Sequence, residues 1–276
     1  MSQHIAVVIG VGGMGQAIAR RVGPGTHLLL ADFNEETLET ATGQLRGEGY
    51  EVTSQTVDVT SRESVAALAK RAASLGEVRY VVHTAGLSPA QAPVPAILAV
   101  DLLGVALAAE EFGEVVAPGG AGVVIASMAG HNYPPFSPEQ TLELATTPAD
   151  ELLGLPVANP DNFPHGGAAY AFAKRANLVR VQAASVTWGA RGARINAISP
   201  GHIATPMGNT ESGGANGAII QAMIDGSNAK REGTPADIAR AAEFLLSPGA
   251  RFISGSDMLV DGGVIAALQT GHITLR

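Results

Sequence analysis

The chain has 276 residues, 46% hydrophobic and 15% charged, with a net charge of -8 and no cysteine. This composition suits a folded globular chain and excludes disulfides and thiolate metal sites. The acidic balance leaves no basic stripe for nucleic acid, and no stretch reaches the roughly 20 apolar residues of a membrane helix. The opening MSQHIAVVIG has no basic leader, so a cytoplasmic location with neither nucleic-acid nor membrane partners is expected.

In chain order, HIAVVIG (4–10) reads as a buried strand, followed by a glycine turn and the helix MGQAIARRV. THLLLAD (26–32) is a second strand, and Asn34 caps the helix after it. EVTSQTVDV (51–59) is the third strand, with Thr60 and Glu63 as a capping box for the next helix. VRYVVHTAG (78–86) is the fourth strand, and a long helix covers about 96 to 116. GVVIAS (122–127) is the fifth strand, and a helix bearing Tyr170 follows. ARINAISPG (193–201), the helix PADIARAAEFLLS and the strand DMLVDGG (257–263) complete the pattern. Strands alternating with helices imply right-handed crossovers, hence a parallel sheet covered on both faces. The expected fold is therefore α/β: one Rossmann-type domain over 1–276, doubly wound. The Pro-rich segment 131–166 is too long for an ordinary connection and reads as a functional insertion. The region 208–227 reads as a loop and helix that shape a substrate pocket.

VVIGVGGMGQAIA places Gly10, Gly12 and Gly15 between a strand and a helix, with Gly13 and Met14 among them. Such a turn lets a pyrophosphate approach the backbone at a helix N-terminus. Asp32 closes the second strand, where a carboxylate can accept from the ribose hydroxyls of NAD and would repel a 2′-phosphate. Phe33 follows it, with no Arg or Lys there, so NAD is expected over NADP. Tyr170 and Lys174 sit four apart on one helix face. A phenol ionises near pH 10, and a neighbouring ammonium lowers that value. Taken alone, the pair reads more readily as a surface accident than as a proton-transfer site. No His, Asp or Glu spacing suggests a metal; His131 and His165 read as surface histidines, and Trp188 as packing or interface.

Further motifs change that balance. SMAG (127–130) ends the fifth strand, YAFAK follows on the next helix, and INAISPGHIATPM (195–207) and FLLSPGARFISGSDMLVDGG (244–263) come in order. On these motifs the chain, from Ile5 to Gly263, resembles the short-chain dehydrogenase/reductase family. The resemblance implies that Ser127 holds the substrate oxygen, Tyr170 passes the proton, and Lys174 binds the nicotinamide ribose and tunes the phenol. It implies that Asp58 and Val59 border the adenine and that Thr84, Ala85 and Gly86 pass the adenosine ribose. It places Pro200, Gly201, Ile203 and Thr205 beside the nicotinamide carboxamide. Asp101 stands where the family often has the asparagine of a proton relay, so it is expected to pair with Lys174, to anchor a water there, or to be a plain helix carboxylate.

The activity so implied is NAD(H)-dependent oxidation of a secondary alcohol to a ketone. The insertion resembles that of bacterial hydroxysteroid dehydrogenase-like members, so a bulky cyclic or aromatic substrate is expected. Tyr133, Pro134, Pro135, Phe136, Leu152, Leu153, Leu155 and Phe163 would roof its pocket. The alternatives are an NADPH-dependent carbonyl or 3-oxoacyl-thioester reductase, and a catalytically silent dinucleotide-binding sensor or scaffold. In the resembled family the small-residue faces of the long helix and the Tyr170 helix pair across subunits, so a homotetramer or homodimer is implied.

Overall fold

In the computed structural model, strand β1 (His4–Ile9) lies between β2 (His27–Asp32) and β4 (Glu77–His83) in a seven-stranded, all-parallel sheet. The others are β3 (Val52–Thr56), β5 (Val116–Ile125), β6 (Arg194–Pro200) and β7 (Asp257–Val260). Their spatial order is β3-β2-β1-β4-β5-β6-β7. Residues 3–90, 92–214 and 217–274 are described; Ala215 and Asn216 of the expected 208–227 region lie outside them, as do the first and last two residues of the expected domain.

Period-2 side-chain alternation sends each strand into two cores. Ile5, Val7 and Ile9 face one, with Leu29 and Ala31. Ala6 and Val8 face the other, with Leu28 and Leu30. The second core is closed by α1 (Gly13–Val22), α2 (Glu35–Gly47) and α11 (Pro235–Leu246). The first is closed by α3 (Arg62–Leu75), by α4 (Val94–Leu98), by a π turn (Ala99–Leu103) running into α5 (Gly104–Gly113), and by α8 (Gly166–Ala190). Asn34 caps α2 as expected, accepting from Thr37 N–H at 2.8 Å. The cap of α3 is Ser61, accepting from Ser64 N–H, and Thr60 instead donates to Asp58. The capping-box expectation is thus one residue off, because Thr60 is used by the turn after β3.

The stretch between β5 and α8 folds into α6 (Ala129–Asn132), α7 (Pro138–Thr146) and three 3₁₀ turns. It lies against α5 and α8. Arg180 donates from the buried side of α8 to the carbonyls of Leu144, Ala145 and Thr147, and to Glu110 at 2.9 Å. A cation there matches the partial negative charge at the end of α7. Arg62 pairs with Glu110, Glu111 and Asp150.

Most of the side chains expected to roof a pocket pack inward, while Pro134 and Pro135 are exposed. Leu152 and Phe163 are buried in the first core, and Leu153 and Leu155 pack against it. Tyr133, Phe136 and Phe163 surround Phe172 at ring distances of 5.0–5.6 Å. Phe172 lies two residues beyond Tyr170, nearly on the opposite side of α8, so the cluster faces away from the phenol. A long apolar segment gains more by burying itself on a neighbouring helix than by lining an open cleft. Helix α5, packed mainly on α8 and α3 and also on the turn at 149–154, is buried from Gly104 to Ala109 and again at Phe112 and Gly113.

The remaining elements are α9 (Pro206–Ser212) and α10 (Gly217–Gly226) after β6, and α12 (Val264–Gln269) after β7. Trp188 is fully buried and donates to Ala109 carbonyl at 2.9 Å, so it serves packing. Among the described residues no helix is long and apolar enough to cross a membrane.

Candidate active site

The strand registers set Ile9 beside Ala31 and His83, and Ile125 beside Ile198. The loops that follow these ends therefore converge on one edge of the sheet, where doubly wound folds bind ligands. Gly10 has φ +90°, and a Cβ there would stand 2.5 Å from Ala85 N. A Cβ at Gly15 would stand 2.0 Å from Gly10 carbonyl. Thr84 donates to that same carbonyl at 2.6 Å, and Thr84 and Ala85 N–H donate to Ile9 carbonyl. Gly10, Gly15, Thr84 and Ala85 thus lock the turn together. Gly12 faces open space, and no side chain caps the N-terminus of α1 beside Gly13, Met14 and Gly15. Uncapped amides facing an open cradle suit an anion, so the turn fits a dinucleotide pyrophosphate.

Asp32 accepts from Val11 N–H at 2.8 Å and from Asn34 N–H at 3.0 Å, which fixes a carboxylate at the β2 end of the cradle. Phe33 beside it is 73% exposed. Asp58 accepts from the backbone and hydroxyl of Thr60, next to buried Val59. At the far end, Pro200 carbonyl accepts from Met128 N–H, and Gly201 N–H donates to Val260 carbonyl. Ile203 is buried and bridges Gly233. Thr205 caps α9, accepting from Gly208 N–H, and its methyl would lie 3.0 Å from a Cβ at Gly13. The two halves of the cradle therefore touch.

Ser127 follows β5 and accepts from Ala129 N–H at 3.1 Å. Tyr170 and Lys174 project from α8 toward it, with Lys174 Nζ 5.3 Å from the phenol ring centre. Burial pushes the Tyr170 phenol above the ordinary tyrosine value; Lys174 pulls it down, Asp101 pushes it up, and a hydrogen bond from Ser127 pulls it down. The lowering by Lys174 expected from the residue pair is present, but burial outweighs it.

Asp101 resolves in favour of pairing. It sits on the π turn, fully buried, with Oδ1 2.9 Å from Lys174 Nζ and Oδ2 accepting from Leu87 N–H at 3.1 Å. Burial disfavours the Lys174 ammonium, but Asp101 and Tyr170 outweigh it and hold its pKa above the ordinary lysine value. A Cβ at Gly86 would stand 2.7 Å from Asp101 Oδ1 and 3.4 Å from Lys174 Nζ. Gly86 therefore makes room for the ion pair.

Several residues join the site that motif reading missed. Asn177, one turn beyond Lys174 and fully buried, donates to Asp101 carbonyl at 2.9 Å. His83 is buried within electrostatic reach of Lys174. Burial and the Lys174 charge lower its pKa to about 3, so it is neutral. Ser88 donates to Glu211 at 2.5 Å. The i, i+3 spacing of Lys174 and Asn177 was a visible signal; nothing local marks Ser88 or Glu211. The two histidines read as surface residues divide: His165 is exposed and caps α8, whereas His131 Nε2 lies 2.7 Å from Asp257 Oδ2. No group of three or more His, Cys, Asp or Glu suited to a metal occurs among the described residues.

Comparison with known proteins agrees with this geometry. A family profile described as "short chain dehydrogenase" matches residues 3–138, and one described as "Enoyl-(Acyl carrier protein) reductase" matches 157–265. The chain is 43% identical over 270 residues to short-chain dehydrogenase/reductase bsc3 of Alternaria brassicicola, covering 98% of each. It is 29% identical to galactitol 2-dehydrogenase (L-tagatose-forming) of Cereibacter sphaeroides, covering 94% of this chain and 93% of that one. Its fold matches a variant of actinorhodin polyketide ketoreductase, crystallised with NADPH, with a TM-score of 0.74 and 23% identity over 95% of this chain and 97% of that one. The chain belongs to the short-chain dehydrogenase/reductase family of oxidoreductases.

Proposed function

We propose that the protein interconverts a secondary alcohol and a ketone with NAD(H), using Ser127, Tyr170 and Lys174. The observation that carries this is the approach of Tyr170, Lys174 and Ser127 at one end of an anion cradle whose other end is Asp32. Hydride exchange with the substrate carbon is the chemistry that bound nicotinamide supplies. Tyr170 Oη takes the alcohol proton in oxidation and returns it to the ketone oxygen in reduction. Ser127 orients that oxygen. Lys174, anchored by Asp101 and by Ile125 carbonyl at 3.3 Å, holds positive charge beside the phenol. Asp32 accepts from ribose hydroxyls and disfavours a 2′-phosphate, which supports NAD over NADP.

Galactitol 2-dehydrogenase, by its name, acts on a secondary hydroxyl, which agrees with the class of reaction. Six of the eight insertion side chains expected around a bulky apolar substrate pack in or on the first core, while Pro134 and Pro135 are exposed. A second reading, NADPH-dependent carbonyl reduction, draws on the raised Tyr170 pKa, which keeps a proton ready for a ketone oxygen; Asp32 stands against it.

Tyr170→Phe should abolish turnover while leaving NADH affinity, read by cofactor fluorescence, nearly intact. Substantial turnover in that variant would refute the proton path, and NADPH binding a hundredfold tighter than NADH would overturn the cofactor assignment.

A further inference from the structure

The sheet order places β5 between β4 and β6. The loop after β4 carries Ser88, and α9 after β6 carries Glu211. The Ser88 Oγ to Glu211 Oε1 hydrogen bond, at 2.5 Å, therefore spans the end of β5, where Ser127 stands. Two residues before Ser88, Gly86 touches the Asp101–Lys174 pair, so the bridge is tied to the same loop as the proposed catalytic lysine.

Both ends of the bridge are fixed. Ser88 is fully buried and also accepts from Ala90 N–H at 3.3 Å. Helix α9 is pinned by its Thr205 cap and by the Ser212 hydroxyl, 2.8 Å from His202 Nε2, which in turn faces Glu232 at 3.2 Å. Glu211 itself is only half-buried, and its Oε2 takes no hydrogen bond among the described residues. Its negative charge also opposes ionisation of Tyr170, which places the carboxylate within electrostatic reach of the phenol.

A carboxylate is an acceptor only. One oxygen is satisfied by a buried hydroxyl, the other takes no hydrogen bond among the described residues, and the group lies within electrostatic reach of the phenol. Accordingly, we propose that Glu211 Oε2 accepts a hydrogen bond from a second hydroxyl of the substrate, so that the site selects vicinal diols and polyols over mono-alcohols of the same size. This rests on the dehydrogenase reading above. A site built around a charged acceptor discriminates because the analogue without the hydroxyl leaves that acceptor unpaired.

The test is the ratio of kcat/KM for matched pairs, cis-1,2-cyclohexanediol against cyclohexanol and 2,3-butanediol against 2-butanol, in the full-length enzyme. The wild type should prefer the diol, and Glu211→Gln and Glu211→Ala should each lower the ratio roughly ten- to a hundredfold, the scale of a hydrogen bond to a charged group. Oxidation of both alcohols with a ratio the variants leave unchanged overturns the inference and spares the dehydrogenase reading. If neither alcohol is oxidised, diol binding decides: quenching of bound NADH fluorescence by the diol, weakened tenfold in Glu211→Gln, supports the inference, and absence of diol-dependent quenching overturns it. Should Glu211→Ala fail to fold, Ser88→Ala gives a second arm. Removing the hydroxyl that positions the carboxylate should lower the same ratio, and an unchanged ratio counts against the proposal.

Discussion

Replacing Asp101 with Asn isolates the charge of the buried ion pair. The amide keeps the size of the carboxylate and can still accept from Leu87 N–H. It leaves the Lys174 ammonium, 4% exposed, without its partner at 2.9 Å. Breaking a buried pair from one side costs about 3–5 kcal/mol. For a chain of this size each kcal/mol lowers the melting temperature by about 2–4 °C, so Asp101→Asn should melt on the order of 10 °C lower. Lys174→Met should also destabilise, since it strands the carboxylate. The double variant removes both charges and should recover part of the loss. Urea unfolding of the four proteins should give a coupling energy of at least about 2 kcal/mol, near the upper part of the range for directly interacting residues. A coupling below about 0.5 kcal/mol would refute a buried ion pair at this position.

Buried, neutral His83 has a folded pKa of about 3, below the unfolded value of about 6.5. The unfolded chain then takes up the proton first, and stability falls by about 1.4 kcal/mol per pH unit between those limits. Between pH 7.5 and 4.5 wild type should lose about 2.7 kcal/mol more than His83→Asn; equal losses in denaturant titrations would argue against a buried neutral ring. Because the Tyr170 phenol is raised, alcohol oxidation, which needs the phenolate, should climb with pH beyond neutrality, whereas ketone reduction should hold through neutral pH and decline only in base. Steady-state profiles check this, and an oxidation limb centred below about pH 7 would contradict it. Arg180→Ala strips the clamp on the insertion and should cost about 3 kcal/mol, with proteolysis within 137–163 accelerating relative to wild type; unchanged cleavage would show that the clamp is dispensable.

The alternation of strands and helices determined the doubly wound sheet, because period-2 and helical patterns are local and each run of apolar residues has one buried solution. The glycine turn and Asp32 were legible because each depends on short-range spacing, and the candidate Ser127–Tyr170–Lys174 set because of motif order and the family resemblance it carried. Only the tertiary structure decided that Asp101 pairs with Lys174, that burial outweighs Lys174 at the Tyr170 phenol, and that the insertion packs on α8 and α5. It also decided the Ser88–Glu211 bridge, whose ends lie 123 residues apart. Desolvation and contacts between distant segments depend on what packs around a side chain, and linear spacing carries no record of that.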